Sequence, residues 1–344
     1  MFGRQSSIGV VGAGAIGGIT AGFIAKMGYD VEIVCKYSDL ADRIRQTGIH
    51  IFGVKGDYTV RMSAVARIQE LKDKKDVVFL ATKATDMMDA ARSLLPYLKE
   101  DSLVVSLQNG ICEDALAKVL GRERTIGCVV GWGATMHSPG ELEMTSTGEF
   151  IVGNIDQKPD DRLLYVKELL DNVVPVEISD NIMGNLYSKL IINSCITSLG
   201  AICGLTLGKM LAQKKIRTLF IEIMREAMAV AAAMELHVEP YGRKLDYYKF
   251  LDKGTSLANF QRHLLIRLIG LKYRKLKSSS LQSLERGKPS EIDYLNGYIV
   301  SKAREHSIPT PVNDKIVQMI KEIEGGTRKI TMENFYDSFF SSFE

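Results

Sequence analysis

The segment Gly12-Ala-Gly14-Ala-Ile-Gly17-Gly18 follows directly on an apolar run, Ile8 to Val11. A buried strand that ends in Gly-x-Gly-x-x-Gly and runs into a helix leaves few folds open. Gly12 permits a tight turn, Gly14 lets a ligand approach the backbone, and Gly17 lets helix and strand pack closely. The helix N-terminus then offers unpaired N–H groups and a partial positive charge to an anion. Ala15 to Met27 has helical composition, Gly28 ends it, and Val31 to Cys35 reads as a second buried strand. This βαβ start is the setting in which such a loop cradles the pyrophosphate of a dinucleotide, a purely structural glycine turn being the alternative.

Strand and helix alternate through the rest of the first half. Candidate strands lie at 7–11, 31–35, 77–81, 103–106, 125–130, 149–153 and 174–178, and candidate helices at 15–27, 38–46, 86–95 and 113–120. The pattern predicts an α/β architecture, a mostly parallel, doubly wound sheet with ligands beyond the carboxyl ends of its strands. From residue 181 long helical stretches take over, at 185–199, 217–233 and 290–305. The expected division is a dinucleotide-binding domain over 1–179 and a helical substrate and catalytic domain over 180–344.

A net charge of +3 over 344 residues, without strong basic clustering, argues against nucleic acid as a partner. The basic stretch 272–277 reads as a solvated face, with an anion or membrane patch as the alternative. The five cysteines form no C-x-x-C pair and the five histidines show no metal-ligand spacing, so neither a disulfide framework nor a metal is expected. Scattered thiols, a short polar N-terminus and no unbroken apolar run of membrane length lead us to expect a cytoplasmic protein without a membrane span.

Three strand tips carry polar residues on the edge where a dinucleotide would lie. The second strand ends Val34-Cys35-Lys36 where an NAD site usually places an acid for the ribose hydroxyls. Glu32 sits inside that strand, expected to face away from the ribose. Lys36 therefore favours a 2′-phosphate, hence NADP(H), unless it is an ordinary surface lysine. Lys83 follows the third strand and Gln108-Asn109-Gly110 the fourth; each suits phosphate, ribose or substrate, or is a plain loop residue. In the helical half, Lys189, Asn193 and Thr197 are spaced to share one helix face. A lysine held among apolar neighbours is easier to deprotonate and suits a proton donor; snorkelling from a core helix is the alternative. Ser290, Glu291 and Asp293 have the pattern of a helix N-terminus with acids in its first turn.

Taken in order, these segments resemble the ketopantoate (2-dehydropantoate) reductase family over nearly the whole chain. The resemblance rests on the glycine loop, Ala81-Thr-Lys83, Gln108-Asn109-Gly110, Lys189-Leu-Ile-Ile-Asn193, Ser279-x-x-Gln282, Glu291-Ile-Asp293-Tyr-x-Asn-Gly and Ile308-Pro-Thr-Pro311-Val-Asn. It implies a Rossmann-type N-terminal domain with an all-helical C-terminal domain like that of 6-phosphogluconate dehydrogenase. It implies reduction of a small 2-keto acid by NADPH, ketopantoate to pantoate in pantothenate biosynthesis. Gly12, Gly14, Ala15, Ile16, Gly17, Lys36, Lys83, Asn109 and Glu291 would contact the cofactor. Asn109, Asn193, Thr197 and Ser279 would bind substrate. Lys189 would be the general acid, with Glu291 holding and tuning it.

The chain departs from the family pattern in places. Thr197 and Leu207 stand where the family carries asparagines, Tyr187 where a tryptophan is common, and the stretch 240–277 is longer and more basic. A less polar pocket points to a different 2-keto acid as the alternative substrate, and a non-catalytic NADP(H) sensor is the alternative of another class. The 240–277 stretch offers a surface for a homodimer.

Overall fold

The computed structural model describes residues 5–158, 160–252 and 254–343. Its strands, in chain order, are β1 (Ile8–Val11), β2 (Val31–Val34), β3 (Ile49–Gly53), β4 (Tyr58–Val60), β5 (Ser63–Val65), β6 (Lys75–Leu80), β7 (Leu98–Ser106), β8 (Thr125–Val130), β9 (Gly133–Ser138), β10 (Glu141–Ser146), β11 (Phe150–Asn154) and β12 (Val176–Ile178). Eight of them form one sheet in the order β12-β11-β8-β7-β6-β1-β2-β5. All its neighbours pair parallel except β11 with β8. β1 lies between β2 and β6, in register Ile8↔Val31 and Ile8↔Val77. The chain therefore leaves β1 to opposite sides, and a topological switch point forms at the carboxyl end of β1. Every residue of β1 and β2 is buried, as expected for strands covered on both faces.

The helices of this first part are α1 (Ala15–Lys26), α2 (Ser38–Gln46), α3 (Met87–Leu94), α4 (Glu113–Leu120) and α5 (Arg162–Asp171). The doubly wound α/β sheet is as the alternation predicts, except for its short edge strand β5, which was not expected. A second sheet, β4-β3-β10-β9, was not expected from the sequence. It packs on α1: a Cβ added to Gly18 would lie 2.5 Å from Leu142 Cδ1, and one on Gly22 would run into Ile51 Cδ1. α1 is thus buried continuously from Gly17 to Ile24 instead of along one stripe.

Packing divides the chain into two units, one ending at Leu186 and the other beginning at Tyr187. The division falls inside a helix, α6 (Ile182–Cys203), not before it. The first turn of α6 belongs to the sheet. Gly127 and Gly153 leave room for it, since a Cβ on either would come within 2.8 Å of Ile182. Polar residues interrupt α6, yet it is long and apolar enough on average to cross a membrane; 83% of its most apolar window is buried, as in a core helix.

The second unit continues with α7 (Leu207–Ala212), α8 (Lys214–Ala233), α9 (Tyr247–Asp252), α10 (Ser256–Lys272), α11 (Ser279–Glu285), α12 (Asn296–Glu305) and α13 (Pro311–Glu324). No strand element occurs among its described residues. The helix expected from 290 begins later. A 3-10 turn at Ile292–Tyr294 comes first, and Leu295, at φ −111° and ψ −107°, separates it from α12.

Candidate functional site

In the first unit, the glycine loop has the geometry its sequence demands. Gly12 adopts φ +113°, and a Cβ there would lie 2.6 Å from the Ala81 carbonyl oxygen. A Cβ on Gly17 would strike the Gly12 carbonyl and sit 2.7 Å from Ala81 Cβ. Around Gly14 nothing approaches within 4 Å of the same position. Two glycines therefore exist for packing, whereas the third faces open space. No side chain caps α1 and its first turn carries no acid, so its leading N–H groups, at Ala15 and Ile16, remain available to an anion.

The strand tips sit at the same sheet edge. Lys36, just past β2, has its Nζ 3.3 Å from Asp86 Oδ2, with side chains 71% and 52% exposed. Glu32 does face away from that tip: it is buried against Lys75. Lys83 is exposed beyond β6, and Asn109 is exposed beyond β7. Beneath Asn109, the Ser106 hydroxyl donates to Gln108 Oε1 (2.8 Å), and Gln108 Nε2 donates to Thr82 Oγ1 (3.3 Å). The two tips are thus tied by side chains as well as by the ladder. Glu113, which the sequence did not single out, lies under this loop, 1% exposed.

In the second unit, α6 presents Lys189, Asn193 and Thr197 at successive turns. Lys189 and Asn193 are half-buried, and Thr197 is buried. The Thr197 hydroxyl donates to the Asn193 carbonyl at 2.6 Å, so its proton is spent on the helix and only its lone pairs face outward chemistry. Ser278 accepts the Leu281 N–H as N-cap of α11 and donates to the Thr197 carbonyl at 3.1 Å. That double bond places Ser279, exposed at the first position of α11, beside the same helix. Ser198 donates to Asn296 Oδ1, Asn296 donates to Asn313 Oδ1 (2.9 Å), and Asn313 donates to Glu226 Oε2 (2.7 Å). This buried chain fixes the start of α12, one 3-10 turn beyond half-buried Glu291. The asparagines of Glu291-Ile-Asp-Tyr-x-Asn-Gly and of Ile308-Pro-Thr-Pro-Val-Asn are therefore structural partners. Lys189 and Glu291 both engage in polar contacts.

Two of the departures are core residues. Leu207 is buried where α7 packs on α10, and its N–H donates to the Leu276 carbonyl at 2.8 Å. Tyr187 is fully buried and donates to the Ala227 carbonyl at 2.8 Å. Of the substitutions noted, only Thr197 stands among the candidate polar residues on α6.

Comparison with known proteins identifies the family. The family described as ketopantoate reductase PanE/ApbA matches residues 8–157, and its C-terminal part matches residues 181–324. A 2-dehydropantoate 2-reductase of Pyrococcus abyssi is 28% identical over 316 residues, covering 91% of this chain and 96% of that protein. The crystal structure of a PanE/ApbA family ketopantoate reductase from Ralstonia eutropha superposes with a TM-score of 0.79 at 29% identity, covering 93% of this chain and 99% of the other. A ternary structure of D-mandelate dehydrogenase with NADH and anilino(oxo)acetate gives 0.77 at 21% identity, over 93% and 99% of the two chains; at that identity the likeness is one of fold. With both parts of the family matched in order across the chain, this protein belongs to the ketopantoate reductase family.

Proposed function

We propose that this protein reduces ketopantoate to pantoate with NADPH. The observation that carries the reading is the presence, on one chain of this family, of both an open glycine cradle at Gly14 and a half-buried lysine on α6 with Asn193 one turn on. The cradle fits a pyrophosphate, because its one unfilled position is the one a phosphate needs and α1 offers uncapped N–H groups there. A dinucleotide whose pyrophosphate is held there would supply, from its nicotinamide, the hydride for the keto carbon. Lys36 pairs with the 2′-phosphate, and Lys83 and Asn109 hold the cofactor and substrate side of the loop edge. Asn193, Thr197 and Ser279 orient the keto acid. The Lys189 ammonium stabilises negative charge building on the carbonyl oxygen and then gives it a proton, with Glu291 keeping that ammonium in place.

Thr197 favours a second reading for the substrate. Its only proton is held by the Asn193 carbonyl, so it cannot donate to a substrate hydroxyl as an asparagine amide would. A keto acid with a less polar tail is the alternative. Rates with ketopantoate and a panel of other 2-keto acids, each with NADPH and NADH, separate the two. Preference for ketopantoate with NADPH supports the first reading; preference for an apolar keto acid replaces it.

We further place the protein in the cytoplasm, where five buried thiols stay reduced, and assign it a homodimer through α10. That helix exposes Leu257, Phe260, Leu264, Leu268 and Leu271 between 45% and 67%. Sedimentation showing a monomer at micromolar concentration would remove the dimer.

A further inference from the structure

Glu113 opens α4, yet it is 1% exposed and plays no part in the reaction described above. Its Oε2 accepts the N–H of the preceding residue, Cys112, at 2.9 Å, three positions past Asn109. Its Oε1 is buried with no hydrogen-bond partner. The Ser106 hydroxyl is close enough to interact with the carboxyl, without a formed hydrogen bond to Oε1. Ser106 has one proton, and that proton goes to Gln108 Oε1. With its proton on Gln108, Ser106 offers a lone pair that can take a proton from a neutral Glu113; turned to the carboxyl instead, it would donate to the ionised form. With Glu113 neutral, the chain of donors would run in one sense, from Glu113 O–H to Ser106, from Ser106 to Gln108, and from Gln108 Nε2 to Thr82.

We propose that Glu113 is a positioning residue for the cofactor edge, the head of a hydrogen-bond chain that fixes the tip of β7 bearing Asn109 to the tip of β6 bearing Lys83. The proposal rests on the reading of that edge as the cofactor site. It explains why an acid is buried at a place where an exposed one would serve as well for the helix dipole. The environment supports the neutral form. Burial pushes the carboxyl up to about 7, against the opposing pull of its own backbone N–H, the Ser106 hydroxyl and the Cys112 N–H, and the like charge of Asp114 adds to the rise. Asp114 is the charged group whose field acts on it. Ionising Glu113 leaves Oε1 an unsatisfied charge and removes the head of the chain, so the two tips loosen as pH rises.

The test compares the wild type with Glu113→Gln and Glu113→Ala. Amide hydrogen exchange over residues 82–84 and 107–112 is measured in the free protein at pH 6 and pH 9, corrected for intrinsic rates. NADPH affinity is measured by fluorescence titration at the same values. The glutamine variant is neutral and can still donate. It should keep wild-type protection and affinity at pH 6 and hold them at pH 9. The wild type at pH 9, and the alanine variant at both, should exchange about tenfold faster there, the scale of one lost hydrogen bond, with NADPH affinity falling in step. Unchanged protection in the alanine variant, or a glutamine variant as loose as alanine, overturns the proposal. So does wild-type protection that rises with pH, which would mean a chain running in the reverse sense from an ionised Glu113. If the exchange pattern holds but the wild type binds no dinucleotide, it is the functional reading that fails, and the link between the strand tips stands.

Discussion

Lys75 Nζ lies 2.9 Å from Glu32 Oε2, with the two side chains only 3% and 4% exposed. Glu32 also accepts from the Ser63 hydroxyl and the Lys72 N–H, both at 3.2 Å, and Lys75 donates to Ser7 Oγ at 3.1 Å. The one acid within β2 is thus consumed inside the sheet and cannot reach a ribose. Removing one partner of such a pair leaves a buried charge without compensation. Glu32→Gln should cost about 3–5 kcal/mol of unfolding free energy and leave the NADPH-to-NADH preference unchanged. Denaturant unfolding and two cofactor titrations check this; a switched preference would place Glu32 in the cofactor site after all.

Lys36 is held differently. Its contact with Asp86 is exposed and contributes about 1 kcal/mol or less, so exchanging it for a phosphate is cheap. Lys36→Ala should weaken NADPH binding about tenfold, the scale of one charge-assisted hydrogen bond, and leave NADH binding within about twofold. Equal losses for both cofactors would show that Lys36 does not read the 2′-phosphate.

The glycine loop separates fold from binding. Gly14→Ala adds a methyl where nothing lies within 4 Å, so the protein should fold normally and lose dinucleotide affinity. Gly12→Ala puts a side chain at φ +113° and 2.6 Å from a carbonyl oxygen, so the protein should lose stability itself, by several kcal/mol given strain plus overlap. Thermal unfolding with cofactor titration distinguishes them; a Gly14 variant with unaltered affinity would move the pyrophosphate elsewhere.

Glu113 makes stability depend on pH. Its pKa in the folded protein, about 7, lies above the ordinary value of 4.5 that applies unfolded. The contribution is therefore complete below about pH 4.5 and is lost as pH rises through about 7, on the order of 3 kcal/mol in all. The difference in unfolding free energy between wild type and Glu113→Gln should shift by that amount across the window and stay level above it. A flat difference would mean that Glu113 is ionised throughout.

The sequence made the main sheet legible because its central strands are buried on both faces and read as unbroken apolar runs between helices. The second sheet was illegible for a physical reason. Its strands are short, β3 alternates buried and half-exposed residues, β9 is mostly exposed, and β10 shifts register twice against it. The reason for Gly18 and Gly22 appears only when that sheet lies on α1. At the candidate site, spacing alone placed Lys189, Asn193 and Thr197 on one face. It could not tell that the Thr197 proton is engaged, that Leu207 and Tyr187 are core, or that Asn296 and Asn313 bind each other. Glu113 escaped notice because an acid in the first turn of a helix is ordinary; its burial is what sets it apart.

The proposed proton donor can be tested at once with the reaction. The initial rate of NADPH oxidation with ketopantoate should fall at least a hundredfold in Lys189→Ala, the scale of general acid catalysis, while NADPH affinity stays near that of the wild type. Undiminished turnover in that variant, or a wild type that binds NADPH tightly and oxidises it with no 2-keto acid, would contradict the account.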